Sequence, residues 1–186
     1  MVELLIVIAV LGVLAVAVLS AINPIEQINR GRDTGSRSDA EQLLSAIDRY
    51  YTSMGYYPWR SSATTGTDAL PLTRINTLAA WQDDAGTNVI EKLSGTAVGS
   101  AGTAEVKASF VSRITGTGYN YLFVYNGGLQ GNSTYVCFNG KSSAFQTEAS
   151  GRCAGTSGSI PDDLPSASVC DITVDGVAGQ YLTCLP

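Results

Sequence analysis

The sequence predicts an α+β fold in which one long N-terminal helix packs on a small antiparallel β-sheet. Three observations predict it. Residues 2–22 are almost unbroken apolar sequence, residues 25–54 carry apolar side chains at helical spacing, and from residue 119 onward aromatic and β-branched runs alternate with glycine turns. The length of 186 residues suits one domain rather than two. Hydrophobic residues at 45% can fill a core, and charged residues at only 15% leave a polar but weakly charged surface of Ser, Thr, Gly and Asn. The chain divides into a membrane-length helix (1–24), its amphipathic continuation (25–58), a connecting region (59–118) and a sheet with a disulfide-bonded C-terminal region (119–186).

Val2 to Ile22 is interrupted only by Glu3, Gly12 and Ser20. At about 1.5 Å per residue it reaches about 31 Å, the thickness of a bilayer core. Nothing basic precedes it, so removal by an ordinary signal peptidase is not expected. Glu3 is the odd residue, because a carboxylate at the rim of such a run either stays solvated among headgroups or needs a partner. Asn23-Pro24 follows, and a proline there removes a backbone donor and predicts a kink or local unwinding. Gly12 is either a second weak point or a site of close helix packing.

Beyond the proline, Leu43, Leu44, Ile47, Tyr50, Tyr51 and Met54 recur at i, i+3, i+4 spacing, which predicts an amphipathic helix. Ser38-Asp39-Ala40-Glu41 has capping-box form and either starts a new helix or lies on the face of a continuous one. We read one helix from Leu4 to Met54, about 76 Å at ideal rise. Gly55 and Pro58 end it. Tyr50, Tyr51, Tyr56, Tyr57 and Trp59 cluster there and suit core packing better than a ligand cage. In the connecting region, residues 78–81 and 88–93 read as short helices.

Tyr119 to Tyr125 and Thr134 to Phe138 read as strands joined by the Asn126-Gly127-Gly128 turn. Asn139-Gly140 reads as a turn into a third strand, Ser143 to Thr147. Val169 to Val174 and Gln180 to Leu185 read as a further hairpin through Asp175-Gly176. Four cysteines, Cys137, Cys153, Cys170 and Cys184, lie in this last third, with no Cys-x-x-Cys pair. That arrangement disfavours zinc and predicts two disulfides in an oxidising compartment. Of three connectivities we expect the sequence-near pairs, Cys137 with Cys153 and Cys170 with Cys184.

The stretch Met1-Val2-Glu3-Leu4-Leu5-Ile6-Val7-Ile8-Ala9-Val10-Leu11-Gly12-Val13-Leu14-Ala15 closely resembles the mature N-terminus of type IV pilins and type II secretion pseudopilins. In that family Phe-Thr-[Leu/Met]-[Val/Ile]-Glu follows a cleavage-site glycine and leads into a long apolar helix. Met1 corresponds to the third mature residue, so the resemblance implies a leader, the cleavage-site glycine, a Phe and a Thr ahead of it. The resemblance runs to the Gly55-Tyr56-Tyr57-Pro58 ending, about a third of the chain. It implies a type IV pilin-like fold, a single pass through the cytoplasmic membrane before assembly, and an extracellular filament, the pilus, after it. The implied partners are the membrane, the pilus assembly machinery and further copies packed through their N-terminal helices. Glu3 then pairs with a neighbouring subunit's N-terminal amine, a modified, methylated group in this family. The expected function is that of a major pilin serving adhesion or motility, with a secretion pseudopilin, or a minor tip pilin that binds DNA or a receptor, as alternatives.

No enzymatic activity is expected. The chain has no histidine, which removes the common general base and metal ligand. Gly140-Lys141-Ser142 mimics the end of a phosphate loop, but Tyr135 stands where its first glycine belongs. Ser157 lies among glycines and serines without the strand-elbow-helix context of a nucleophile. Asp162, Asp163, Asp171 and Asp175 lie in a loop-rich stretch, and oxygen ligands of that kind suit calcium, for which related pseudopilins carry such a loop. They lack fixed ligand spacing, so solvated carboxylates and no cofactor are the default reading. Asn132-Ser133-Thr134 is a glycosylation sequon in a turn, expected to be exposed. The net charge of −5, with basic residues grouped only at Arg30, Arg32 and Arg37, argues against dedicated nucleic-acid binding.

Overall fold

A computed structural model describes residues 1–21, 23–75, 81–97 and 102–186. The first two elements are helices, α1 (Val2–Ala21) and α2 (Pro24–Met54). The helix read as continuous from Leu4 to Met54 is therefore broken at the predicted kink. Asn23 is extended (φ −85°, ψ 96°), its side chain accepts a hydrogen bond from the Glu26 N–H, and Pro24 occupies the first turn of α2. A proline there lacks only a donor that a helix start leaves unpaired anyway. From Pro24 the helix runs unbroken through Gly31, Gly35 and Ser38, and Gly55 ends it in the left-handed conformation (φ 76°) with its N–H on the Tyr51 carbonyl.

The connecting region supplies a strand that the sequence reading missed, β1 (Leu70–Arg74), then short helices α3 (Val89–Ser94) and α4 (Ala108–Ile114). The helix expected over 88–93 is α3, capped by Asn88; that expected over 78–81 falls largely outside the described residues. Next come β2 (Leu122–Asn126), β3 (Thr134–Asn139), α5 (Ser143–Cys153), α6 (Ser166–Val169), β4 (Ile172–Val174), β5 (Val177–Gln180) and β6 (Leu182–Leu185). The main sheet is antiparallel in the order β1-β2-β3-β6, and β4 pairs with β5 in a separate ribbon.

Period-two alternation gives this sheet two apolar faces. Leu122, Val124, Val136 and Phe138 point into the core with Ala40, Leu43, Ile47 and Tyr50 of α2. Phe123, Tyr135, Cys137 and Leu182 point the other way, into a second core closed by Leu164, Val169 and Val174. The C-terminal region thus roofs the face of the sheet opposite α2.

Three expectations about this region are corrected. Residues 143–147 are helical, because the Ser142 side chain accepts from the Phe145 N–H and α2 supplies carboxylates to the N–H groups that open α5. Gly140 makes no hairpin; a Cβ there would lie 2.6 Å from that of Phe145, so the glycine serves close approach. The second arm of the predicted hairpin is split. Val177–Gln180 returns from the Asp175-Gly176 turn, whose φ values of 52° and 78° fit a two-residue hairpin loop, and β6 crosses to the main sheet. That crossing overturns the disulfide pairing. Cys137 and Cys184 are register partners on β3 and β6, 4.0 Å apart at Cα, and are bonded. Cys153 at the end of α5 bonds Cys170, just after α6, with Cα atoms 5.9 Å apart. Sheet topology, not closeness in sequence, sets the pairs.

Candidate functional site: the apolar helix and its seat on the domain

Every described side chain of α1 is exposed. Thirteen large apolar residues, from Val2 and Leu4 to Val18 and Leu19, retain more than half of their surface. At roughly 1.5–3 kcal/mol for burying each such side chain, leaving them in water costs on the order of 20 kcal/mol, more than a domain's net stability. The helix is long and apolar enough to cross a membrane. Glu3, in its first turn, is its only charged residue. Gly12 lies inside the continuous helix, with nothing of this chain within 4 Å of where a Cβ would stand, so the domain itself makes no demand for glycine there. Pro24 marks the break.

α2 seats this helix on the domain through an apolar stripe that turns polar toward its start. Asp33 is fully buried and accepts hydrogen bonds from the N–H groups of Lys141 (2.8 Å) and Ser142 (2.7 Å) and from the Ser142 hydroxyl (2.6 Å). Two turns earlier, Glu26 accepts from the N–H (3.1 Å) and hydroxyl (2.9 Å) of Ser143 and pairs with Arg30. The Ser143 N–H is the main cause holding the Glu26 carboxyl below its usual range. Two carboxylates of α2 thus satisfy the unpaired donors at the start of α5, where the helix dipole also favours negative charge. Further along, buried Asp39 takes Arg113 and the Tyr119 hydroxyl, and Arg49 binds Glu105 at 2.8 Å. Burial, then the Asp39 hydrogen bond, pushes the Tyr119 phenol up.

Behind the C-terminal end of α2, the predicted aromatic cluster packs on the core through Tyr50, Tyr56, Tyr57 and Trp59, whereas Tyr51 is exposed. Tyr57 stacks on Trp59 with centroids 4.5 Å apart, and Tyr50 meets Tyr56 edge-on at 5.9 Å. It encloses a buried ion pair that nothing in the sequence announced. The Lys92 ammonium, 2% exposed, donates to Asp83 (2.9 Å) and to the Arg60 carbonyl (2.7 Å), 5.7 Å from the Tyr50 ring centroid. The other Asp83 oxygen accepts from the N–H groups of Ala85 and Thr87.

The four aspartates considered for calcium are not gathered together, and among the described residues no three metal-ligating side chains are. Asp163 accepts from the Tyr135 hydroxyl (2.5 Å) and the Ser133 N–H (2.7 Å), while Asp175 pairs with Arg74 at 2.7 Å. Asp162 and Asp171 are exposed. Asn132 of the sequon lies between β2 and β3 and is half-buried.

Comparison with protein-family models, curated proteins and solved structures finds no match. The geometry of the chain therefore carries the functional reading. Glu26 and Asp33 escaped the sequence reading, and Asp39 entered it only within the Ser38–Glu41 capping-box motif, although Asp33 and Ser36 extend the 40, 43, 47, 50 stripe backward along the helix, and that spacing was the available signal.

Proposed function

We propose that this chain is the structural subunit, the major pilin, of an extracellular type IV pilus-like filament that serves adhesion or motility. One observation carries the reading: an apolar helix headed by a single carboxylate stands free of a domain whose two cores are complete without it. Such a helix has two partners that satisfy it, lipid and other helices of the same kind. The subunit waits in the cytoplasmic membrane with its sheet domain outside, and assembly exchanges lipid contacts for helix contacts in the filament interior. Glu3 selects the register of that exchange. A carboxylate moved into low dielectric is tolerated only against a matched cation, here the N-terminal amine of a neighbouring subunit, so misplacement is penalised.

Glu3→Ala tests this. The variant is expected to insert in the membrane as the parent does, followed by carbonate extraction, but to yield few or no filaments by electron microscopy. Normal filament number and length in Glu3→Ala would remove the proposed pairing.

A further inference from the structure

A pinned loop and an open groove stand at opposite ends of the domain. The loop between β2 and β3, residues 127–133, lies past the C-terminal end of α2. Trp59, just beyond that helix, donates to the Asp68 carbonyl (3.1 Å), and Gly128 packs so closely on the adjoining Ala69 that a Cβ would come within 2.5 Å of it. The groove, of about 610 Å³, lies at the other end, against α2 from Arg32 to Gln42, with Asn120, Tyr121 and Lys141 in its far wall. Asn29 donates to the Lys141 carbonyl (3.4 Å) and Asp33 accepts from the Lys141 N–H, which fixes that wall at the first turns of α2.

Each feature has a property that its own domain does not use. The loop is held in shape: the Asn126 side chain accepts from the Gly128 N–H (2.7 Å), the Leu129 carbonyl accepts from the Asn132 N–H (3.0 Å), and Gly128 and Gly131 are left-handed (φ 75° and 95°). This ordered loop carries no charged residue and presents Leu129, 74% exposed, near its tip. In the groove wall, Gly35 sits inside α2, where glycine is less stabilising than alanine, yet among the described residues a Cβ there would meet nothing within 4 Å. The space it leaves is open to another chain. Charges in and beside the groove nearly cancel, Arg32, Arg74, Arg113 and Lys141 against Asp33, Asp39 and Asp175, so it suits a neutral polar segment better than an ion.

In copies packed in parallel through α1, the far end of one domain faces the near end of a copy further along. We infer that the β2–β3 loop of one copy docks in this groove of another, with Leu129 entering beside Gly35 and the Gln130 amide on the polar wall. A contact between two different surfaces repeats without closing, so it builds a filament rather than a dimer. The inference rests on the filament reading above.

Filaments sheared from cells that express paired cysteine variants test it. Leu129→Cys is combined in turn with Arg32→Cys, Gln42→Cys and Lys141→Cys, all exposed positions, so that each wall of the groove is probed. After mild oxidation at least one pair is expected to give a ladder of covalent multimers on non-reducing gels. Leu129→Cys with Ser166→Cys, on the face of the sheet opposite α2, should give none beyond the single variants. Leu129→Asp should keep the parent's melting temperature and membrane insertion but yield about tenfold fewer filaments or less, because every joint would bury an unpaired carboxylate. Leu129→Met should assemble as the parent does. Filaments from all three pairs without a ladder, or normal filament number in Leu129→Asp, overturn the docking and leave the filament reading standing. A parent chain that forms no filaments sinks that reading, and the docking with it.

Discussion

Asp83 and Lys92 form the most completely buried ion pair among the described residues, at 2% side-chain exposure each. Removing the charge of one partner strands the other, and such breakage costs about 3–5 kcal/mol. Asp83→Asn is therefore expected to lower the melting temperature by roughly 10 °C, at about 2–4 °C per kcal/mol for a chain of this size, measured by calorimetry on the full chain in detergent. A loss within a degree or two would mean that the pair is solvated in the folded protein. Tyr135 and Asp163 give a pH signature. The Tyr135 hydroxyl, then the Ser133 N–H, hold the Asp163 carboxyl below its ordinary value of 3.8, while burial and then the Asp163 hydrogen bond push the Tyr135 phenol up to about 12. A lowered carboxyl pKa contributes stability that is present above 3.8 and lost as pH falls through the folded value. A raised phenol pKa contributes stability that is full below the ordinary value of 10.0 and lost as pH climbs toward 12. Tyr135→Phe should flatten both limbs of the stability-pH curve and cost about 1.5–3 kcal/mol near neutrality. Unchanged limbs in chemical denaturation across pH would show that this hydrogen bond does not hold the 160–165 loop.

Among the elements, what could be read from sequence tracked how local its cause is. The break at Asn23-Pro24, the Gly55 stop and the Asp175-Gly176 turn each depend on one or two residues, and each stands where those residues predict it. Residues 143–147 failed because their short pattern fits a strand as well as a helix, and the deciding donors and acceptors come from Ser142 and from α2, more than a hundred residues away. The disulfides failed for a related reason: pairing Cys137 with Cys184 follows from β6 joining β3, which no local spacing encodes. The α2–α5 junction yields its own prediction. Asp33→Ala leaves the N–H and hydroxyl of buried Ser142 without their acceptor, at about 1–3 kcal/mol for each orphaned group. It should speed amide exchange through the first turn of α5 while the β2–β3 pair stays protected. Exchange unchanged in α5 would make the capping by Glu26 sufficient alone.

For the whole molecule, the division of labour lies between an unpartnered helix and a self-sufficient domain. α2 and the sheet close one core, the C-terminal ribbon and two disulfides close the other, and α1 takes part in neither. The amphipathic period and the apolar run made that plan legible, and the N-terminal resemblance suggested its use. The second core was not legible, because β3 is buried on both faces and its sequence alternates less than a half-exposed strand would. On the proposed reading, polymerisation through α1 is the function, and the domain sets what the filament surface presents. The most direct measurement is electron microscopy of filaments sheared from cells that express the chain, with mass spectrometry of the purified material. The account predicts thin filaments in which this chain is the dominant component. Filaments that form without it, with the chain left in the membrane fraction, would contradict the account.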